Sequence, residues 1–118
     1  MIDRKWAEHF AAEWIAVWNS RDLDAILKHY AENIVFHSPR IAMVMNEKVD
    51  FVAGKPALAR YWSTALSGNK DLHFTFDRVY VGSDSLTIAY RNQRGQHVTE
   101  TFVFNADGLV AESIAAYV

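Results

Sequence analysis

An α+β fold is predicted for this chain, with a strongly bent sheet folded around helices, and three observations predict it. Apolar residues recur at helical spacing through the first half of the sequence, at Trp6, Phe10, Trp14, Val17 and Trp18 for example. From Asp71 onward the apolar period changes from about 3.6 to about 2, the spacing of a strand. Gly82-Ser83-Asp84, Arg94-Gly95 and Ala106-Asp107-Gly108 then interrupt that pattern at regular intervals, as the turns of an antiparallel meander do.

Asp3 is placed to cap a first helix reaching Trp18 or Asn19, because its carboxylate can accept from the free amides of the first turn. Asn19-Ser20-Arg21 breaks the pattern, and Ser20 or Asp22 starts a second helix with apolar residues Leu23, Ile26, Leu27 and Tyr30, completing an αα-hairpin. Residues 33–38 read as a short strand that Pro39 stops, since proline has no amide for the ladder. Ile41 to Met45 is apolar without clear alternation, and Lys48 to Ala53 is a short strand or an extended loop. Gly54-Lys55-Pro56 opens a third helix, Pro56 standing where a missing N–H costs nothing. Leu58, Tyr61, Trp62, Ala65 and Leu66 form its apolar face, and Ser67-Gly68-Asn69 ends it. Four strands follow, at 72–81, 85–93, 96–105 and 109–118.

The 118 residues suffice for one domain, spanning 1–118. Hydrophobic residues at 51% and charged ones at 22% exclude a disordered chain. A net charge of -2 gives no footprint for nucleic acid or an anionic membrane, leaving small molecules or proteins as expected partners. The absence of cysteine excludes disulfides and thiol catalysis. No window approaches the roughly 20 apolar residues of a membrane span, and MIDRKWAEHF lacks the apolar run of a signal peptide, so cytoplasmic residence is expected.

Four words in order carry a resemblance. They are Trp18-Asn19-Ser20-Arg21-Asp22-Leu23-Asp24, Tyr30-Ala31-Glu32-Asn33, Gly54-Lys55-Pro56-Ala57-Leu58, and the run from Phe102-Val103-Phe104-Asn105 to Val110. With the order helix, helix, strand, helix, four strands, the chain resembles the nuclear-transport-factor-2-like superfamily, in its SnoaL-like and ketosteroid-isomerase-like branches. The resemblance implies a cone-shaped, cystatin-like fold. A mixed, mostly antiparallel sheet would wrap around three helices of the N-terminal half, with a pocket on its concave face and a homodimer through the sheet. It leaves the function open, since such folds host isomerases, cyclases, dehydratases, epoxide hydrolases and binding domains. In the ketosteroid-isomerase branch an Asp base precedes a Pro at the end of the first strand, and a Tyr and a protonated acid form the oxyanion hole. By motif, those positions fall on Ser38, Trp14 and Glu100. Only Glu100 keeps its chemistry, which argues against steroid isomerisation.

The candidate catalytic residues are therefore Glu100, Arg91 and His37. If Arg94-Gly95 is a two-residue turn, Glu100 faces Ala89 and lies diagonal to Arg91, so the two share a sheet face. Family parity puts that face inside the cone as a polar anchor. Hydrophobic alternation instead sends Leu86, Ile88 and Tyr90 inward and leaves Arg91 outside. His37 has the right affinity for protons to act as a base, but if Phe36 and Ser38 face inward it points to the outer, interface side. Ser38 and Arg40 would orient a substrate at the pocket mouth, Arg40 through its fork for an oxyanion. Trp14, Trp18, Tyr61, Trp62, Phe102 and Tyr117 would line an aromatic pocket suited to a flat or cyclic apolar ligand.

The histidines show no metal-ligand spacing and there is no phosphate-cradling glycine loop, so neither a metal nor a cofactor is expected. Two readings stay open: a cofactor-independent isomerase, dehydratase or hydrolase on a small apolar substrate, and a non-catalytic ligand-binding or dimerisation module. A third makes the outer sheet face a protein-docking surface with Phe74 or Phe76 as anchors.

Overall fold

The Asp3 carboxylate accepts from the Trp6 amide at 3.0 Å and starts helix α1, Arg4–Ser20. In the computed structural model, which describes residues 1–118, the chain continues through α2 (Leu23–Leu27) and β1 (Tyr30–His37) to α3 (Ile41–Met45). Strand β2 (Phe51–Ala53) and helix α4 (Lys55–Ser67) follow. The meander is β3 (Thr75–Val81), β4 (Ser85–Arg91), β5 (His97–Phe104) and β6 (Val110–Tyr117). The six strands form one sheet in the order β2-β1-β6-β5-β4-β3, with β1 and β6 parallel and every other pair antiparallel. No helix is long and apolar enough to cross a membrane.

A fourth helix joins the three expected. Ile41–Met45 makes a single turn that buries Ile41 and half-buries Val44 and Met45, which explains an apolar run without strand alternation. The first meander strand begins at Thr75, later than its apolar pattern. The Asn19 side chain accepts from the Phe74 amide at 2.8 Å and donates to the Phe74 carbonyl at 2.9 Å, taking the groups a ladder would use. Arg21, held at φ 63, sends its guanidinium to the Leu66 and Asn69 carbonyls at 2.6 and 2.9 Å and so caps the end of α4. The Asn19-Ser20-Arg21 word is thus a clamp between the helical hairpin, α4 and the sheet.

The core lies between the sheet's concave face and the helices. Ala7 and Ala11, both fully buried, let α1 approach the strands closely. Phe10 and Trp14 meet Phe102 edge-on at 5.2 and 5.3 Å, and Trp18 meets Trp62 of α4 at 4.9 Å. Strand alternation sends Leu86, Ile88 and Tyr90 of β4 and Val98, Glu100 and Phe102 of β5 to this face.

The β4–β5 hairpin departs from the two-residue turn. The Asn92 amide donates to the Gln96 carbonyl at 3.1 Å, leaving a three-residue loop with Gly95 at φ +74. The Asn92 side-chain oxygen accepts from the Arg94 and Gln96 amides at 3.0 and 3.1 Å. One extra loop residue shifts the register by one and reverses the faces of one strand relative to the other. Glu100 stands opposite Ile88 and Arg91 opposite His97, so Glu100 faces inward and Arg91 outward. The β5–β6 loop repeats the device: Asn105 accepts from the Asp107 and Leu109 amides, and Gly108 sits at φ +77.

Candidate functional site

A cavity of about 390 Å³ opens between the concave sheet face, α1, α3 and α4. Its walls are aromatic, built from Trp14, Trp18, Tyr61, Trp62, Phe74 and Tyr90. Arg40, Asn92, Gln93, Arg94, Glu100 and Tyr117 supply its polar groups. Such a composition suits an apolar body held by few polar contacts.

Glu100 enters the cavity because its β5 parity matches that of Val98 and Phe102. It is 4% exposed, and its sole hydrogen-bond partner is the Ser113 hydroxyl, donating from 3.4 Å. No cation lies within ion-pair distance. Burial disfavours the carboxylate and pushes the Glu100 pKa up to about 8, against a small opposing effect from the Ser113 hydroxyl.

Four phenols surround this carboxyl. Burial first, and then the Glu100 charge, raise Tyr30, Tyr90 and Tyr117 above the ordinary phenol range. Tyr61 is pushed to about 12, by burial first. All four therefore remain hydroxyl donors at neutral pH. The Tyr30 hydroxyl accepts from Trp14 Nε1 at 3.0 Å, so the indole that takes the motif's tyrosine position has its N–H engaged by a neighbouring tyrosine.

Arg40 occupies the mouth. Its guanidinium carbon lies 4.4 Å from the Tyr117 ring centroid, and Nη2 donates to Gln96 Oε1 at 2.7 Å. Gln96 Oε1 also accepts from Asn92 Nδ2 at 3.1 Å, which ties the cation to the loop that sets the register of Glu100.

Among the residues expected to bind substrate, Trp14, Trp18, Arg40, Tyr61, Trp62 and Tyr117 line the cavity. Ser38 lies behind the wall, 2% exposed, where its hydroxyl accepts from the Arg40 amide at 3.2 Å and assists the turn into α3. It also eases the upward shift of the Tyr61 and Tyr117 phenols. Phe102, fully buried beneath Trp14 and Phe10, belongs to the core.

Two expected catalytic positions face elsewhere. Arg91 is exposed on the convex side, its Nε 3.3 Å from Asp77 Oδ1, because the three-residue loop displaced the register. His37 is half-buried on the same convex side, with Nε2 3.3 Å from Glu112 Oε2, as alternation from Phe36 requires. Phe74, expected outside, lines the cavity instead and stacks on Trp14 at 5.8 Å.

Sequence pattern alone does not single out Tyr30 and Tyr90 as members of the site. Its spacing from Leu23, Ile26 and Leu27 suggests helix for Tyr30, whereas it lies on β1 with the even parity of Ile34 and Phe36. Tyr90 follows from the alternation of Leu86 and Ile88.

An open mixed six-stranded sheet packed on four helices around an aromatic cavity defines a cone-shaped α+β fold. The SnoaL-like domain family matches residues 11–113, and the chain belongs to that family. A SnoaL-like protein of unknown function from Burkholderia thailandensis superposes with a TM-score of 0.92 at 37% identity, over 100% of this chain and 99% of that one. A putative isomerase of the SnoaL-like family from Agrobacterium tumefaciens superposes with a TM-score of 0.74 at 15% identity, covering 95% and 97% of the two chains. SalBIII, an epoxide hydrolase/cyclase-like enzyme with a role in pyran ring formation in the polyether salinomycin, gives 0.75 at 17%, covering 100% and 95%. The last two likenesses establish a shared fold. No curated protein matches the sequence.

Proposed function

We propose that this chain is a cofactor-independent isomerase, dehydratase or hydrolase that acts on a small, largely apolar cyclic substrate, with Glu100 moving the proton. One observation carries the reading: a carboxyl faces an aromatic cavity with no cation within ion-pair distance of it, and burial keeps its proton to about pH 8. Glu100 is the only carboxyl lining the cavity, so the same group gives and retakes the proton. In a dehydration, Glu100 protonates the departing hydroxyl as the C–O bond breaks and water leaves. Its carboxylate then removes a proton from the adjacent carbon, and the acid is restored. In epoxide hydrolysis it protonates the ring oxygen as the ring opens, and recovers a proton from the attacking water. Tyr61, Tyr90 and Tyr117 supply neutral donors for the oxygen on which charge develops.

The SnoaL-like membership supports this reading, as do the isomerase and epoxide hydrolase/cyclase-like descriptions of proteins sharing the fold. The second reading, a binding or dimerisation module without chemistry, is favoured by Ser38 and Trp14 at the positions where the resemblance to ketosteroid-isomerase-like proteins implies a base and a tyrosine. The assembly proposed with either reading is a homodimer through the convex sheet face, where Phe51, Tyr80 and Ile114 are exposed. The deciding experiment screens cyclic allylic alcohols, carbonyl compounds and epoxides by thermal shift and assays the hits for turnover with wild type and Glu100→Gln. Turnover that Glu100→Gln abolishes supports the enzyme. Tight binding without turnover supports the module, and turnover unaffected by Glu100→Gln removes Glu100 from the mechanism.

A further inference from the structure

Arg40, Arg94 and Glu100 are the only charged side chains lining the cavity, and they are unequally placed. Arg94 is exposed on the β4–β5 loop, whereas Arg40 is half-buried and fixed on two sides by the Tyr117 ring and Gln96 Oε1. A guanidinium normally reaches a carboxylate when one is near, because the planar fork matches two carboxylate oxygens. Arg40 has none within ion-pair distance, and its Nε and Nη1 have no hydrogen-bond acceptor. Its neighbours are neutral: an amide, a phenol and a serine hydroxyl that meets its own backbone amide. The cation is therefore pre-organised and uncompensated at the mouth of an apolar chamber, where water screens it less than at an open surface. Tyr117 feels the Arg40 and Glu100 charges in opposite senses, so cation and acid act on one phenol within one cavity.

We infer that the cavity takes a planar cyclic carboxylate, its carboxylate on the free edge of Arg40 at the mouth and its ring between the aromatic walls, directed toward Glu100. This rests on the small-molecule pocket reading above and names the class of ligand. The charge pattern accounts for the orientation. A carboxylate deeper in the cavity would meet Glu100 without a cation, whereas one at Arg40 completes an ion pair whose cationic half is already partly desolvated. The chamber is large enough for a fused two-ring acid, at the lower end of ligand-pocket volumes.

Isothermal titration calorimetry with 2-naphthoate and its neutral isostere methyl 2-naphthoate tests the assignment, at a pH where Glu100 retains its proton. Wild type is expected to bind the acid about tenfold more tightly than the ester, the difference one charge-assisted pair makes. Arg40→Gln is expected to remove that preference by weakening the acid and leaving the ester unchanged. Arg40→Lys keeps the charge without the fork and retains part of the preference, which separates loss of recognition from loss of fold. Equal affinity of acid and ester in wild type overturns the carboxylate assignment and leaves the pocket reading standing. So does an Arg40→Gln protein that keeps the preference. Failure of both probes to bind contradicts the pocket reading itself and this inference with it.

Discussion

Ser113 Oγ lies 3.4 Å from Glu100 Oε2, the only hydrogen bond made to a carboxyl otherwise enclosed by aromatic rings and phenols. One long neutral hydrogen bond does not offset the desolvation of a carboxylate. The groups facing Glu100 from the packed elements are the Tyr30, Tyr61, Tyr90 and Tyr117 phenols, with Arg40 beyond them at the mouth.

Stability follows from the sign of this shift. The folded pKa, about 8, lies above the unfolded value of 4.5, so the native state holds the proton longer. The contribution of Glu100 is fully present below pH 4.5 and is lost as pH rises to about 8. That loss is on the order of 5 kcal/mol in all. Glu100→Gln keeps the volume and cannot ionise. Denaturant titrations from acid to alkaline pH are expected to show the variant gaining on wild type by roughly 3 kcal/mol by about pH 7 and further up to about pH 8. Parallel pH profiles of the two proteins would show that Glu100 is not buried as described.

Activity has the opposite dependence on ionisation from that of a simple base. With Glu100 as proton donor, kcat/KM on any substrate found by the screen is expected to fall about tenfold per pH unit above about 8. A profile that instead rises through that pH would assign Glu100 the base role.

Asn19 and Arg21 are predicted to matter through the fold. Asn19→Ala leaves the Phe74 amide and carbonyl without their partners and loosens a residue that lines the cavity. A cost of about 2 kcal/mol is expected in thermal or denaturant unfolding. Arg21→Ala removes the cap on the Leu66 and Asn69 carbonyls and is expected to cost about 1–2 kcal/mol. Unchanged midpoints for both variants would contradict the clamp.

The β4–β5 loop links register to recognition. Gly95→Ala meets no neighbour within 4 Å, so its cost is the left-handed backbone alone, about 1–2 kcal/mol. Asn92→Ala removes both the loop nucleus and a donor to Gln96, which steadies Arg40. It is expected to lower stability by about 1–2 kcal/mol and to weaken naphthoate binding more than binding of the ester, measured by unfolding and calorimetry on one preparation.

Much of the architecture was legible. Asp3 and Pro56 mark helix starts, and the shift of period at Asp71 announces the meander, because caps and alternation are local properties. The cavity's aromatic walls followed from the Trp14, Trp18 and Trp62 stripes. A single loop residue separates the expected register from the observed one. Arg94-Gly95 looks like a two-residue turn, but Asn92 three positions before Gly95 nucleates a longer loop, and Asn105 and Gly108 repeat the spacing. That one residue decides whether Arg91 or Ile88 accompanies Glu100 into the cone. The hydrophobic alternation of Leu86, Ile88 and Tyr90 held the correct parity all along. The Asn19 clamp was beyond reach, since it joins residues 55 positions apart.

Glu100 is predicted to carry a proton at neutral pH inside the cavity. A carboxyl-carbon NMR titration of protein labelled at glutamate, with Glu100→Gln to assign the resonance, reads it directly. One carboxyl that titrates near 8 and disappears in the variant is the predicted result. A Glu100 resonance that titrates in the ordinary glutamate range, at about 4.3, would overturn the assignment of a buried proton.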